Sequence, residues 1–187
     1  MMVLQDKQAL FLDRDGVINE ERPGDYVKSW EEFVFIPGAI EAIRLLSRHF
    51  SPIFIVTNQR GVGRGVMTKE ELDSIHAKML SRLSEKEGKI NRIYVCSDVD
   101  PCSINRKPNI GMALQAKQDY PDISLQQSFM VGNSLSDMKF GKNAGMITIL
   151  VGDKYAEEER TSDWVDFYFD DLISFALSAN KFTTMTQ

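Results

Sequence analysis

Two aspartates, Asp13 and Asp15, stand two residues apart at the end of a short apolar run, residues 9–12, and Gly16 follows them. Residues i and i+2 of a strand point to the same side, so both carboxylates can converge on one point just beyond a sheet. Neighbouring carboxylates repel unless a cation lies between them. A divalent metal that also binds a phosphorylated substrate would meet this need, and the run therefore suggests a phosphoryl-transfer site. By themselves, these residues are equally explained by an ordinary Asp-rich turn.

Polar residues also follow the second strand candidate. Thr57, Asn58 and Gln59 come directly after an apolar run, and a glycine-rich segment, residues 60–65, comes next. A hydroxyl and an amide at the end of a strand can donate to phosphate oxygens, and glycines let backbone amides approach an anion. Arg64 could clamp a second anionic group. A flexible turn with a solvated arginine is the alternative interpretation.

Two further segments carry residues suited to the same chemistry. Lys107 could neutralise charge in the transition state of phosphoryl transfer, and its neighbour Arg106 could contact the substrate. Asn133 and Asp137 are four residues apart at a predicted strand–helix junction, where they could complete a metal site with the two aspartates. A solvated Arg-Lys pair and ordinary helix capping are the alternatives.

Apolar runs and amphipathic stretches alternate along the whole chain, which predicts an α/β protein with a Rossmann-like parallel sheet and helices on both faces. We expect one domain over residues 1–187. Residues 19–36 fit neither a helical nor a strand period, and we interpret them as a small flap or loop beside the site. Residues 181–187 are predicted to be a frayed end. The strand candidates are residues 9–12, 53–56, 92–96, 128–131, 148–151 and 167–169, and the helix candidates begin near residues 39, 68, 111, 135 and 172.

Composition excludes several classes of protein. The chain has 187 residues, 43% of them hydrophobic, which is enough for one full core. A net charge of −5 argues against nucleic acid as the main partner. No apolar stretch approaches the length of a membrane span, and the N-terminal residues lack the apolar segment of a signal peptide. We therefore expect a cytoplasmic protein with no membrane partner, and its oligomeric state stays open.

In chain order, the four segments resemble the haloacid dehalogenase superfamily of phosphotransferases. Within it, residues 9–152 look like the D-glycero-D-manno-heptose 1,7-bisphosphate phosphatases and the related histidinol-phosphatases. The resemblance implies a Rossmann-like core without a large cap domain and a small phosphorylated metabolite as the partner. The segments that carry it are Phe11-Leu12-Asp13-Arg14-Asp15-Gly16-Val17-Ile18-Asn19, Thr57-Asn58-Gln59, Gly63-Arg64-Gly65 and Arg106-Lys107-Pro108.

The resemblance also implies a role for each candidate residue. Asp13 would attack phosphorus and form an aspartyl-phosphate, while Asp15 would protonate the leaving alcohol and then deprotonate the hydrolytic water. Thr57 and Lys107 would hold the phosphoryl group. Substrate contacts would come from Asn58, Gln59, Arg64 and Arg106, and Mg²⁺ would be bound by Asp13, the backbone carbonyl of Asp15 and the fourth motif with Asn133 and Asp137.

The chain departs from this family at two places. The fourth motif usually reads Gly-Asp, but here it is Gly-Asn, so the metal site loses one negative charge at Asn133. Many relatives also carry a zinc loop with Cys-x-His and Cys-x-Cys. Here Cys96 has no nearby histidine, Cys102 lies one place early, and Ser103 and Asn105 stand at the later cysteine positions. Structural zinc normally takes four ligands, so we expect none.

Three functions therefore stay in consideration. The leading one is a magnesium-dependent phosphatase of a sugar phosphate such as the heptose bisphosphate. Histidinol phosphate or another small ester is the second, because Tyr26 and Trp30 could face an imidazole. The third is a weakly active phosphosugar-binding protein of the same fold, which only Asn133 supports.

Overall fold

A computed structural model describes residues 7–183, and six segments of this range form one sheet. Every pair of neighbouring strands is parallel, which confirms the predicted α/β class. The strands are β1 (Lys7–Leu12), β2 (Ile53–Asn58), β3 (Arg92–Cys96), β4 (Ile123–Gly132), β5 (Ile147–Val151) and β6 (Phe167–Phe169). Their spatial order in the sheet is β3-β2-β1-β4-β5-β6.

Helices cover both faces of the sheet because the strands are apolar on both sides. Leu10 and Leu12 belong to one core cluster, whereas Ala9 and Phe11 belong to another on the opposite face. The helices are α1 (Ala39–Leu46), α2 (Arg60–Gly63), α3 (Lys69–Ser84), α4 (Gly111–Asp119), α5 (Leu135–Asn143), α6 (Glu157–Arg160), α7 (Leu172–Ser178) and α8 (Asn180–Thr183). The first core cluster contains buried apolar residues of α1, α3 and α7, and the second contains those of α4 and α5.

The strand order reverses between β1 and β4, and this reversal decides where a ligand can bind. Open α/β sheets bind ligands beyond the carboxyl ends of the strands, at the point where the order reverses. β1 ends at Leu12 and β4 ends at Gly132, so Asp13 and Asn133 leave neighbouring strands at this point. The backbone N–H of Asp13 donates to the carbonyl of Val131 at 2.9 Å and keeps the two segments together.

Two helices begin with reciprocal side-chain caps. In α3, Thr68 Oγ1 accepts from the N–H of Glu71 and the Glu71 carboxylate accepts from the N–H of Thr68, which together form a capping box. Ser134 and Asp137 cap α5 in the same way. In the glycine-rich segment, residues 60–63 form the single helical turn α2 and not the flexible turn of the alternative interpretation.

Residues 19–36 are tied to the core at one end and line the site at the other. Asn19 bridges Phe35, and the rings of Trp30 and Phe33 stack 5.1 Å apart beside the first core cluster. Trp30 therefore packs away from the site.

The prediction of a frayed end over residues 181–187 was wrong for its first part. Phe182 is buried in α8, where its ring contacts Phe129 and Phe167 at 6.0 and 4.9 Å, so ring packing overrides the polar character of its neighbours. Residues 184–187 lie outside the described residues. Within residues 7–183, no helix has the length and apolarity of a membrane span.

Candidate active site

A cavity of about 360 Å³ opens at the carboxyl ends of β1, β2 and β4. The structure brings every predicted site residue to its wall. Residues of the segment 19–36 form part of the rim, among them Glu21 and Tyr26. The predicted residues in the wall are Asp13, Asp15, Thr57, Asn58, Gln59, Arg64, Arg106, Lys107, Asn133 and Asp137.

A buried lysine joins two carboxylates at the floor of the cavity. Lys107 Nζ lies 2.8 Å from Asp13 Oδ1 and 2.6 Å from Asp137 Oδ1, and it donates to the carbonyl of Val56 at 2.8 Å. Burial opposes the charged ammonium, but the two carboxylates outweigh it and raise the pKa of Lys107. The lysine is thus a fixed cation beside Asp13.

Asp13 has one carboxylate oxygen engaged and one free. Oδ1 accepts from Lys107 and from the N–H of Arg14 at 2.7 Å, whereas Oδ2 accepts from no residue in the described range. Burial, followed by the charge of Asp137, raises the pKa of Asp13 to about 7. An additional cation in the cavity would stabilise its ionised form.

The side chain of Asp15 is held by three residues. Arg14 Nη2 donates to both of its oxygens at 2.8 and 3.0 Å, and Asn19 and Gln59 donate at 2.9 and 2.8 Å. Burial alone would raise the pKa of Asp15, but the Arg14 guanidinium and these hydrogen bonds lower it. Asp15 is therefore an ionised carboxylate with a fixed orientation.

Arg14 is itself fully buried, and its guanidinium also forms a hydrogen bond with a histidine. Its Nη1 lies 3.0 Å from His76 Nε2 on α3, and Arg14 has 0% relative exposure. A guanidinium can only donate, so His76 Nε2 accepts and the ring proton is on Nδ1. Burial and the charge of Arg14 lower the pKa of His76 to about 4.

This histidine makes stability depend on pH. In the unfolded chain, His76 is protonated near its ordinary pKa of 6.5, whereas the folded chain resists protonation until about pH 4. The free energy of unfolding therefore falls as pH drops through this window. We expect a loss of about 2 kcal/mol between pH 7 and pH 5. Urea denaturation at both pH values measures it. His76→Gln is expected to lose this contribution while the control His49→Gln keeps it. An equal change in the free energy of unfolding with pH in both variants would contradict the assignment of this loss to His76.

Two residues predicted to contact substrate have hydrogen-bond partners within the protein, and their substrate contacts stay predictions. The Gln59 amide donates to Asp15 and to Thr57 Oγ1, both at 2.8 Å, and Gln59 is buried. The Asn58 amide pairs with the backbone of Lys107 through an N–H that donates at 3.2 Å and an oxygen that accepts at 3.1 Å. Both side chains orient neighbouring site residues, and Thr57 keeps its hydroxyl proton for a ligand.

Three arginines line the other part of the cavity. Among residues 7–183, no carboxylate pairs with Arg60, Arg64 or Arg106. Arg60 Nε and Arg106 Nη1 are buried and have no hydrogen-bond partner. Burial, followed by the charge of Arg60, lowers the pKa of Arg106. Such clustered and unpaired guanidinium groups are suited to an anionic group of the ligand.

The two predicted metal ligands of the fourth motif, Asp137 and Asn133, have different surroundings. In Asp137, Oδ1 lies 2.6 Å from Lys107 Nζ and Oδ2 accepts from the N–H and the hydroxyl of Ser134, and its role as a metal ligand stays a prediction. Asn133 faces the cavity, and its Nδ2 donates to Glu21 Oε2 at 3.2 Å. Within the described range, no group of three Cys, His, Asp or Glu side chains could hold a metal ion. Cys96 and Cys102 are free thiols.

Sequence reasoning missed Arg14, His76, Glu21 and Arg60. His76 carried a usable signal, since it lies among Leu72, Ile75 and Met79 on the apolar side of α3, where a polar side chain needs a partner. Arg14 carried none, because β1 ends at Leu12 and strand alternation no longer fixes the direction of the following side chains. Glu21 comes from an irregular segment and Arg60 begins the single helical turn α2, and the path of both depends on tertiary contacts.

Comparisons with known proteins agree with this geometry. A family model described as HAD-hydrolase-like matches residues 104–175. The D-glycero-alpha-D-manno-heptose-1,7-bisphosphate 7-phosphatase of Campylobacter jejuni is 37% identical over 158 residues, which cover 84% of this chain and 87% of the relative. The D-glycero-beta-D-manno-heptose-1,7-bisphosphate 7-phosphatase of Escherichia coli K12 is 34% identical over 84% of this chain and 87% of its own.

Solved structures give the same result. The D,D-heptose 1,7-bisphosphate phosphatase of B. bronchiseptica, solved with magnesium and phosphate, superposes with a TM-score of 0.82 at 29% identity, over 93% of this chain and 98% of its own. A HAD-like phosphatase structure from Mesorhizobium loti gives a TM-score of 0.79 at 30% identity, over 96% and 87% of the two chains. The chain therefore belongs to the heptose bisphosphate phosphatase family of haloacid dehalogenase-like hydrolases.

Proposed function

We propose that this protein removes the 7-phosphate from a D-glycero-D-manno-heptose 1,7-bisphosphate in a magnesium-dependent reaction. The observation that carries the proposal is the presence, in one cavity, of a buried Asp13–Lys107 pair and a separate group of three unpaired arginines. A substrate with two phosphates can place one at each. The names of the relatives support the same substrate class.

The site residues fit the magnesium ion that the family implies. Magnesium prefers oxygen ligands, and the cavity offers the free Oδ2 of Asp13, the backbone carbonyl of Asp15 and the amide oxygen of Asn133. Asp137 is left out of this set because Lys107 Nζ lies 2.6 Å from its Oδ1 and Ser134 donates to its Oδ2. A bound magnesium ion would offset the negative charge of the phosphate and of the attacking carboxylate.

In the proposed first step, an Asp13 oxygen attacks phosphorus, and the bond from phosphorus to the sugar oxygen breaks. Asp15 gives a proton to that oxygen, and the sugar leaves as an alcohol. This role requires Asp15 to gain a proton when the phosphate binds, since the added negative charge opposes its ionised form. Lys107 and the hydroxyl of Thr57 hold the phosphoryl oxygens.

In the second step, Asp15 takes a proton from water, the water oxygen attacks phosphorus, and the bond to Asp13 breaks. The ionised state that Arg14, Asn19 and Gln59 favour is the one this step needs. Asp13 is released as a carboxylate and inorganic phosphate leaves. We propose that residues 19–36 act as a small flap over this site, in place of a large cap domain.

The arginine group provides a test of substrate choice. We expect Arg60→Gln or Arg106→Gln to raise KM for the bisphosphate about 10- to 100-fold, since each removes a charge-assisted contact to the second phosphate. The effect on heptose 7-phosphate, which lacks that group, is expected to be under about threefold. Arg22→Gln is the matched control because Arg22 also lines the cavity but pairs with Glu32 at 2.9 Å. Steady-state phosphate release gives the values. Equal losses on both esters would contradict a second phosphate site.

A further inference from the structure

The proposed magnesium ligands of this chain carry little negative charge. Only Asp13 supplies a carboxylate, because the other two ligands are a backbone carbonyl and the amide of Asn133. Arg14 balances the Asp15 side chain, and Lys107 lies between Asp13 and Asp137. These five charged groups sum to a single negative charge, so a divalent ion would leave the site with a net positive charge.

Glu21 stands where it can supply the missing charge. Its Oε2 accepts a hydrogen bond from Asn133 Nδ2 at 3.2 Å, although the two residues are 112 positions apart in the chain. Glu21 comes from the segment 19–36 and lines the same cavity as Asp13. Its only ion pair in the described range is with Lys154, at 3.2 Å. The carboxylate side chain is 44% exposed, so its effect on the ion is partly screened by solvent.

The contact also fixes which atom of Asn133 meets a cation. A carboxylate only accepts hydrogen bonds, so the amide nitrogen must face Glu21 and Oδ1 is the atom left for the metal. No residue of the described range donates to Oδ1. The amide lies across Gly16, where a Cβ would come within 1.8 Å of Nδ2, and this close approach keeps Asn133 beside the loop of Asp15.

We propose that Glu21 is a positioning residue that makes the neutral Asn133 an effective magnesium ligand. It orients the amide oxygen toward the ion, increases the negative charge on that oxygen through the hydrogen bond, and brings one formal negative charge close to the site. The proposal rests on the magnesium site of the proposed function. It assigns Glu21 no contact with the substrate or the reacting phosphorus.

Magnesium binding to the substrate-free protein tests this directly. Isothermal titration with MgCl₂ is expected to show a Kd about tenfold weaker for Glu21→Gln than for the natural sequence, at the low end of outer-shell effects because the side chain is exposed. Glu20→Gln is the matched control, since Glu20 is the exposed neighbour in the same segment and undergoes the same charge change. Lys154→Gln removes the competing ammonium and is expected to tighten binding. A Kd for Glu21→Gln equal to that of the Glu20→Gln control would overturn the proposal.

A double-mutant cycle separates positioning from general electrostatics. Asn133→Asp supplies its own charge and cannot donate to Glu21, so the two carboxylates repel each other. In that background, Glu21→Gln is expected to weaken magnesium binding by much less than tenfold, because only the solvent-screened charge of Glu21 is then lost. An equal tenfold loss in both backgrounds would overturn the role assigned through Asn133. If the bisphosphate releases no phosphate while magnesium affinity changes across the cycle as predicted, the proposed function fails and the role of Glu21 stands.

Discussion

Replacement of Asp13 by asparagine is expected to reduce kcat by at least about 10⁴-fold, because the amide keeps the shape of the carboxylate but cannot form the aspartyl-phosphate. The free energy of unfolding should not fall, since burial already disfavours the ionised form of this side chain. Rates from phosphate release and unfolding from urea titration measure the two quantities. Asp73→Asn is a matched control, because Asp73 pairs with Lys69 on the surface of α3. Activity of Asp13→Asn within about tenfold of the natural protein would exclude Asp13 as the nucleophile.

Replacement of Lys107 by methionine is expected to lower the free energy of unfolding by about 3–5 kcal/mol, because it leaves the buried carboxylates of Asp13 and Asp137 without their cation. The same change removes the group that holds the phosphoryl oxygens, so kcat should fall as well. Urea denaturation gives the stability. The exposed pair of Lys142 with Asp166 provides the control, and Lys142→Met should cost about 1 kcal/mol or less.

A second substitution separates charge imbalance from lost packing at this position. Lys107→Met combined with Asp137→Asn removes one of the two unpaired charges, so it is expected to recover part of the lost stability. The double variant also keeps the experiment informative if Lys107→Met alone does not fold. A double variant less stable than Lys107→Met would show that the ammonium does not stabilise Asp137.

The fold followed from the sequence to a large extent, because its strands are short apolar runs separated by helices with clear apolar stripes. The observed β4 begins at Ile123, five residues before the predicted start, because Ile123 and Ser124 pair with Lys7 and Gln8 at the beginning of β1. Asp13 and Asp15 line one cavity as the strand-alternation rule predicts, although β1 ends at Leu12, before both of them. That rule could not show that Arg14, between them, turns into the protein and holds Asp15.

The partners of the site residues depended on tertiary structure. Lys107 follows an irregular loop and Asp137 begins α5, so nothing in their spacing predicts the 2.6 Å pair that they form. The same holds for the contact of Glu21 with Asn133. Residue types at the ends of strands identified the chemistry, whereas the division into ligands, orienting residues and charge partners required the folded chain.

The names of the relatives include both anomers of the heptose, so both belong in a substrate test. Tyr26 lines the cavity and Arg64 donates to its hydroxyl at 3.2 Å, so an aromatic ring is present beside the arginines. Histidinol phosphate therefore belongs among the esters to be compared.

The most direct measurement is phosphate release, followed by ³¹P NMR, from both anomers of the heptose 1,7-bisphosphate, heptose 7-phosphate and histidinol phosphate, each with magnesium or with EDTA. The account predicts magnesium-dependent loss of the 7-phosphate resonance, an intact 1-phosphate in the product, and a higher kcat/KM for a bisphosphate than for either monoester. Hydrolysis of the 1-phosphate, a preference for histidinol phosphate, or no turnover of any ester with magnesium present would contradict it.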